Sequence, residues 1–249
     1  MRDNPYKSPA ADGEDRLLSG WQLQAIILAV LAVLSLGLVA STMDLPAPPQ
    51  PSGLLLSFGF LHVTALLCVL TVAAMRLPKD QWVGGLYLRA ATDLVRTVAR
   101  AVMFVVPLIL CINILIQLIV WVSSIPRSPN ALLEYMIDGD VMTVVVIAIG
   151  AVVVAPVCEE FVFRVVLHGA CREHVKESSA DVITSLLFAL LHGIPENVPA
   201  LFVLAMILQR QLRQTRSVWV PILTHAMFNG TSVVILLVAR YFGKAELLV

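Results

Sequence analysis

Long apolar runs separated by short polar links make up the hydrophobic pattern of this chain. A membrane-spanning helix needs about 20 mostly apolar residues. The predicted spans are residues 21–41, 54–75, 101–123, 141–167 and 218–238. Two shorter apolar helices, at residues 182–192 and 198–208, are expected to be tilted or shielded by neighbouring helices. The pattern therefore predicts an all-α, polytopic membrane bundle of about seven membrane segments.

The polar segments divide the chain into three parts. Residues 1–19 mix both charge signs with Pro and Gly, which predicts a disordered cytoplasmic tail. Residues 20–140 hold the N-terminal membrane segments and their linkers. Within them, residues 76–100 intersperse basic and apolar positions, which favours an amphipathic helix on the membrane surface, with a solvated loop as the alternative. Residues 141–240 form the third part and carry the polar motifs described below.

Composition and charge agree with a membrane protein. Hydrophobic residues make up 59% of the chain, charged residues 14%, and the mean hydropathy is +0.88. Soluble domains have about 45–50% apolar and about 25% charged residues. The formal net charge is zero, so nucleic acid is not an expected partner, whereas the lipid bilayer is. Basic residues alternate between successive links, which predicts a multi-pass cell-membrane protein with a cytoplasmic N-terminus; Arg240 and Lys244 do not fit, so the orientation of the C-terminus stays open.

Two adjacent glutamates and an arginine stand inside the fourth apolar run, in the sequence PVCEEFVFR. An ionised residue at mid-membrane costs about 2.5–3.5 kcal/mol, so these charges need a reason. Glu160 and Arg164 are four residues apart and can pair on one helix face. Glu159 is turned about 100° away and has no such partner. An unpaired carboxylate in apolar surroundings suits a general base; an acidic pair that caps a helix end is the structural alternative.

Two further motifs place polar side chains at a similar depth. FALLH puts Phe188 one turn before His192, so the phenyl ring can pack beside the imidazole. HAMFN puts His225 and Asn229 four residues apart, where both could donate to a developing oxyanion; an interhelical polar contact is the alternative. At about 1.5 Å per residue, Glu159, His192 and His225 lie roughly 18, 20 and 12 Å from the predicted cytoplasmic ends of their helices. Similar depth favours one shared intramembrane cavity.

The three motifs in this order, EExxxR, FxxxH and HxxxN, resemble the signature of the CPBP family. This family includes CAAX prenyl endopeptidases of the Rce type, bacterial Abi-type intramembrane proteases and lysostaphin-resistance-like proteins. The resemblance covers about residues 140–240, so it implies that residues 141–240 are the catalytic core. It also implies an all-helical core with a catalytic cavity that opens towards the cytoplasmic side. One departure is Val165, which follows the arginine where the family often has glycine.

The resemblance implies a role for each matching residue. Glu159 would activate the attacking water, and His192 would assist it. His225 and Asn229 would stabilise the oxyanion of the tetrahedral intermediate. The supporting residues would be Glu160, Arg164 and Phe188.

Zinc is the one cofactor that these residues suggest, because two glutamates and two histidines could form a zinc shell. No HExxH motif is present, and carboxylates with imidazoles could activate water unaided, so we expect a metal-free site. If a metal were bound, its ligands would be Glu159, His192 and His225. The other histidines are expected elsewhere, with His62 at an interhelical contact and His168 and His174 at the membrane interface.

The predicted function is an intramembrane endopeptidase that acts on a peptide or protein substrate in the membrane, of CAAX type or another type. The first alternative is a non-catalytic membrane scaffold or regulator, or a bacteriocin-immunity protein, that retains the fold. A scaffold has no need for the complete polar set of the three motifs. The second alternative is a transporter with the acidic pair as its ion site, but the repeated halves of a transporter are not visible in the sequence.

Overall fold

The computed structural model describes residues 20–41, 50, 52–53, 59–124, 126, 128 and 130–243, and its regular elements are helical. The helices are α1 (Trp21–Ser41), α2 (Thr64–Arg76), α3 (Trp82–Gly85), α4 (Leu94–Val122), α5 (Ala131–Asp138), α6 (Val141–Arg172), α7 (Glu177–Leu190), α8 (Val198–Thr215) and α9 (Trp219–Tyr241). A π-helical turn, Gly59–Val63, leads into α2, and two more lie within α6 at Gly150–Val154 and Glu160–Leu167. The predicted tail at residues 1–19 and the start of the second predicted span lie outside the described residues.

Three helices, α4, α6 and α9, are long and apolar enough to cross a membrane by length and composition. Shorter apolar stretches occupy Trp21–Val33 in α1 and Leu61–Arg76 around α2. The prediction of an all-α membrane bundle is therefore confirmed. The count of about seven membrane segments remains a prediction.

The stretch between the second and third spans differs from the predicted amphipathic helix. It forms a short 3-10 turn, Lys79–Gln81, then α3 and a series of turns, and α4 already begins at Leu94. Arg96 and Arg100, which were assigned to the link, therefore belong to the first turns of the spanning helix, where both are exposed. Long basic side chains near a helix end can extend to the membrane interface, so their charge does not prevent the helix from starting earlier.

Helix α8 is longer than predicted, because it continues from residue 208 to Thr215 through the basic patch. Gln209, Gln211 and Leu212 are buried, so the buried face of the helix continues where the hydrophobic pattern shows polar letters. Arg210 and Arg213 occupy the exposed face of the same turns. The patch is thus the amphipathic end of a helix and not a link between helices.

Polar caps define the junction between α5 and α6. Asn130 accepts a hydrogen bond from the Leu133 backbone N–H at 3.1 Å and starts α5, as an N-cap does. Asp140 accepts one from the Thr143 N–H at 2.7 Å and starts α6; this bond holds the pKa of Asp140 below its ordinary value.

At the other end of the chain, Arg240 donates to carbonyl oxygens of Met136 and Gly139 at 3.0 and 2.7 Å. Arg240 therefore has hydrogen-bond partners on the side of the bundle where the positive-inside rule does not predict a basic residue.

The apolar core places α6 at the centre of the bundle. One cluster joins it to α1 and α2 and includes Trp21, Val69 and Phe161. A second cluster joins α4 to α8 and α9 and includes Ile109 and Leu204. Lipid tails are as apolar as these side chains, so the clusters stabilise the bundle through close packing more than through transfer from water. This packing brings the motif-bearing faces of α6, α7 and α9 together in the interior.

Candidate active site

The glutamate–arginine pair of the first motif is buried inside the bundle. Arg164 Nε lies 3.1 Å from Glu160 Oε2, and the two side chains are 3% and 0% exposed. The segment that carries them is π-helical, and it still presents both side chains to the same interior position. Removing one partner of a buried ion pair typically costs about 3–5 kcal/mol, because the other charge is left uncompensated. The predicted pairing of these two residues is observed.

His225 of α9 lies between the two glutamates. Its Nδ1 is 3.0 Å from Glu160 Oε1, and its Nε2 is 3.9 Å from Glu159 Oε2. The His225 side chain is almost completely buried. In a neutral imidazole only one ring nitrogen carries a proton, and here Nδ1–H donates to Glu160. The lone pair on Nε2 then points towards Glu159. Glu160 therefore orients His225 in addition to pairing with Arg164, a second role that spacing alone did not indicate.

Glu159 is the more accessible of the two carboxylates, with 17% of its side chain exposed. Its Oε1 lies 3.3 Å from Nε2 of His62, which belongs to the π turn before α2. Among the described residues, no arginine or lysine lies within ion-pair distance of Glu159. Its near polar partners are the imidazoles of His62 and His225.

Phe188 of α7 packs against members of all three motifs. The ring is fully buried, and the guanidinium carbon of Arg164 lies 4.4 Å from its centroid, within the distance of a cation–π interaction. The centroid is 4.8 Å from that of His192 and 5.9 Å from that of His225. One aromatic side chain therefore fixes the relative positions of the arginine and both motif histidines.

His192 follows the last turn of α7 and is exposed, unlike the other motif residues. Its Nδ1 lies 2.8 Å from the Phe188 carbonyl oxygen, so the Nδ1–H donates to that oxygen. In the neutral imidazole this places the lone pair on Nε2, which is the form that accepts a proton. No hydrogen bond or ion pair joins His192 to Glu159 in the described part of the chain. The two side chains are therefore near each other without a direct hydrogen bond.

Asn229 lies one turn after His225 on α9 and is held by the backbone of α6. Its Nδ2 donates to the carbonyl oxygen of Ala151 at 2.8 Å. Ala151 belongs to the π turn Gly150–Val154. A carboxamide nitrogen carries two N–H groups, so this bond fixes the side chain and leaves the second N–H to donate elsewhere.

The donor atoms of the site do not form a metal cluster. Within the described ranges, no group of three or more His, Cys, Asp or Glu side chains is arranged to hold a metal ion. The ligands expected for a bound metal were Glu159, His192 and His225. The two histidines each have Nδ1 engaged, with Glu160 and with the Phe188 carbonyl oxygen, which leaves Nε2 of each ring without a hydrogen bond to a described residue. A metal-ligating histidine is held through its other nitrogen in the same way, so these two bonds do not exclude a metal on Nε2.

His62 is the site residue that sequence reasoning missed. It was expected at an interhelical contact, and it does make one, but its partner is Glu159. The two residues are 97 positions apart, so no local spacing links them. One signal was present in the sequence, because an ionisable residue inside an apolar span is by itself a candidate for function.

His168 is predicted to lie at the membrane interface, and its depth stays a prediction, but its side chain does not face the solvent. The side chain is buried, with Nε2 2.9 Å from Asp181 Oδ1. Asp181 in turn accepts a hydrogen bond from Arg213 at 2.6 Å, so the interior of the bundle offers His168 a paired polar partner. His174 is exposed, and its Nδ1 donates to the Ala170 carbonyl oxygen at 3.0 Å.

Comparisons with known proteins give two sequence matches. Residues 141–231 match the family model "Type II CAAX prenyl endopeptidase Rce1-like", a segment that contains all three motifs and excludes His62. The chain is also 31% identical over 84 residues to "Putative membrane peptidase YdiL" from Bacillus subtilis (strain 168). That match covers 34% of this chain and 34% of the relative, so the chain spans about a third of the relative's length. No solved structure matches the chain.

Proposed function

We propose that the protein is an intramembrane endopeptidase, because residues 141–231 match the Rce1-like family model. The observation that carries the proposal is the position of Glu159. It is a partly accessible carboxylate with an imidazole on either side, and it lies next to the buried Glu160–Arg164 pair. The substrate is a peptide or protein that reaches the site from the membrane. A prenylated peptide of CAAX type is the first substrate to test, because the matching family model carries that description.

Glu159 acts as the general base of the reaction. It takes a proton from a water molecule while the water oxygen attacks the carbonyl carbon of the scissile peptide bond. The resulting carboxylic acid then returns a proton to the departing nitrogen, and the carbon–nitrogen bond of the tetrahedral intermediate breaks. His192 assists through the Nε2 lone pair, which accepts a hydrogen bond from the same water. The products are a carboxylic acid and an amine, which together contain all the atoms and protons of the peptide and the water.

His225 and Asn229 stabilise the oxyanion of the tetrahedral intermediate. Glu159 Oε2 and His225 Nε2 are 3.9 Å apart, which lets the base and the oxyanion donor contact neighbouring oxygens of one intermediate. Donation from Nε2 requires the imidazolium form of His225, since a neutral ring already donates through Nδ1. Glu160, 3.0 Å from Nδ1, stabilises that cation as the buried aspartate does in a catalytic triad. The second N–H of Asn229 is the other donor.

Cleavage of a synthetic prenylated CAAX peptide by the purified full chain in detergent micelles tests the general base. We expect Glu159→Gln to slow cleavage by about 10²–10⁴-fold, the usual contribution of general acid–base catalysis, without loss of folded protein. Glu173→Gln is the matched control, because it makes the same change at an exposed glutamate outside the site. Equal rates for both variants would show that Glu159 is not the base. A wild-type chain that cleaves neither the prenylated nor the unprenylated peptide would contradict the endopeptidase assignment.

The role of His192 can be tested against a control histidine that makes the same local hydrogen bond. His192 and His174 both donate from Nδ1 to the carbonyl oxygen four residues earlier, at 2.8 and 3.0 Å. His192→Ala should slow cleavage strongly, whereas His174→Ala should leave the rate unchanged. A similar effect of both substitutions would indicate that loss of this local hydrogen bond, and not loss of a base, reduces activity.

The mechanism uses no resident metal ion. Incubation with a strong zinc chelator should leave the cleavage rate unchanged, and metal analysis of the purified protein should give less than one zinc per chain. Activity that disappears on chelation and returns when zinc is added would contradict the metal-free mechanism. In that case Glu159, His192 and His225 are the first ligands to examine.

The basic ends of the helices face the cytoplasm in the proposed orientation, in line with the positive-inside rule. This orientation places Asp138, at the end of α5, on the extracellular side of the membrane. Glu173, directly after α6, then lies on the cytoplasmic side. A chain without its native cysteines can carry single Asp138→Cys or Glu173→Cys substitutions. An impermeant thiol reagent added to intact cells should label only the first variant, and the reverse pattern would invert the topology.

A further inference from the structure

A cavity of ≈ 640 Å³ opens at the basic end of the bundle and borders the candidate active site through Arg164. Its walls come from the start of α1, the turn after α3, the last turns of α6 and the end of α8. Glu159, His192 and His225 do not line it. Arg172 ends α6 at the cavity mouth, and Arg164 lies about 12 Å deeper at about 1.5 Å per residue. The cavity thus extends from the end of a spanning helix into the bundle.

Positive charge dominates the lining of this cavity. Its ionised groups are Arg164, Arg172, Arg213, Arg216 and a single acid, Glu177. Glu160 and Asp181 compensate two of these arginines at 3.1 and 2.6 Å. Arg172 and Arg216 are exposed and form no ion pair with any described residue. The mouth therefore carries uncompensated cations, which favour an anion.

The inner part of the cavity contains polar atoms without hydrogen-bond partners. Gln209 is 2% exposed and Arg164 is 3% exposed, and both line the cavity. Gln209 Oε1 and Arg164 Nη2 have no partner, and Gln22 Oε1 of α1, which also lines the cavity, has none either. Buried polar groups are nearly always satisfied in folded proteins. Two acceptors and one donor around one cavity fit a ligand that has hydroxyl groups as well as acidic oxygens.

The cavity lies at the depth where lipid headgroups are found. α6 is apolar enough to span a membrane and ends at Arg172, so the mouth falls at the boundary between hydrocarbon and headgroups. Basic pockets between transmembrane helices on this kind of surface bind acidic headgroups. Water could satisfy the inner amide oxygens, but it would not account for two uncompensated arginines at the mouth.

We propose that this cavity binds the headgroup of an anionic phospholipid that carries free hydroxyl groups, such as phosphatidylglycerol. The phosphodiester lies between Arg172 and Arg216. The headgroup hydroxyls donate to the Oε1 atoms of Gln209 and Gln22. A soluble phosphate ester shares this chemistry, and glycerol 3-phosphate serves to distinguish the two sources. The site does not depend on peptidase activity, because none of its ligand contacts involves Glu159 or the motif histidines.

Lipid titration of the full chain in neutral detergent, followed by native mass spectrometry, tests the proposal. Phosphatidylglycerol should bind the wild type more tightly than phosphatidylcholine does. An arginine near the membrane surface contributes about 1 kcal/mol to binding of an anionic lipid. The double variant Arg172→Gln/Arg216→Gln should therefore bind phosphatidylglycerol about 30-fold more weakly, at about 1.4 kcal/mol per factor of ten. The double variant Arg89→Gln/Arg210→Gln removes the same charge from exposed positions outside the cavity and should bind like the wild type.

A second variant tests the inner contacts. Phosphatidic acid carries the phosphate without headgroup hydroxyls, so Gln209→Leu should weaken binding of phosphatidylglycerol and leave binding of phosphatidic acid unchanged. If millimolar glycerol 3-phosphate displaces phosphatidylglycerol, the site is assigned to a soluble ester. If it does not displace the lipid, the site is assigned to the lipid. Equal binding of phosphatidylglycerol and phosphatidylcholine by the wild type would overturn the proposal. So would equal losses in the two arginine double variants.

Discussion

Replacement of Arg164 by methionine tests the electrostatic support of the site. Met is similar in length and removes the charge, which leaves Glu160 fully buried with His225 as its remaining polar partner. Loss of one partner of a buried ion pair costs about 3–5 kcal/mol. Arg164 also stacks on Phe188 at 4.4 Å, so we expect the upper part of this range. The free energy of unfolding of Arg164→Met should therefore fall by about 4–5 kcal/mol.

The double variant Glu160→Gln/Arg164→Met separates lost charge from lost packing. It leaves no uncompensated charge, and the glutamine Oε1 can still accept a hydrogen bond from His225 Nδ1. Replacing a buried ion pair by neutral groups of similar volume is often close to neutral. We therefore expect the double variant to be more stable than Arg164→Met alone, with a coupling energy of about 2–3 kcal/mol between the two positions.

Equilibrium unfolding in mixed micelles of neutral detergent and sodium dodecyl sulfate, followed by tryptophan fluorescence, measures these free energies. Arg96→Met on the exposed side of α4 is the control, and it should change stability by less than about 0.5 kcal/mol. The reasoning fails if the losses of the Glu160 and Arg164 single variants add up in the double variant to within about 0.5 kcal/mol. Additivity would mean that the two charges do not compensate each other in the folded protein.

Three further substitutions have defined outcomes. His62→Ala removes a hydrogen bond to the Glu159 carboxylate, so kcat should fall by about 10–100-fold, from about 1.5–3 kcal/mol, with KM nearly unchanged; unchanged kcat would exclude a role for His62. Gly139→Ala places a Cβ against the Tyr135 backbone oxygen, whereas a Cβ at Gly84 meets nothing within 4 Å, so only the first should lower the unfolding free energy, by about 1–3 kcal/mol. Arg240→Met loses hydrogen bonds to two carbonyl oxygens and should lower it by about 1.5–3 kcal/mol; no change in urea or detergent unfolding would show that these bonds are not needed.

Local patterns in the sequence predicted the parts of the molecule that depend on neighbouring residues. The hydrophobic runs gave the bundle and the range of α1, because membrane helices satisfy their backbone within one segment. The four-residue spacing of Glu160 and Arg164 gave their ion pair. The end of α8 was missed for a related reason, since Gln209 and Gln211 are polar in the sequence and buried in the structure. A pattern of apolar letters cannot show that a polar side chain faces the interior.

The contacts that define the site join residues that are far apart in sequence. His62 reaches Glu159 across 97 positions, and His225 reaches Glu160 across 65. Estimates of depth placed the three motifs at a common level, which is enough to predict a shared site but not to say which nitrogen faces which oxygen. The second role of Glu160, orientation of His225, depends on that detail. It became visible only when the packing of α9 against α6 was known.

The π turns of α6 constrain the number of residues in that helix as well as their identity. A π turn closes its hydrogen bond over five residues where an α turn uses four, so each turn accommodates extra chain within a continuous helix. Deleting one residue from Gly150–Val154 could restore a regular α-helical ladder. A deletion from the α-helical turns between Val141 and Glu159 would instead rotate the preceding part of α6 by about 100° relative to Glu159, together with the Met136 and Gly139 carbonyl oxygens that Arg240 binds. Insertions and deletions are therefore tolerable in the links, whereas the α-helical turns between Val141 and Glu159 are fixed in length by the alignment of both ends.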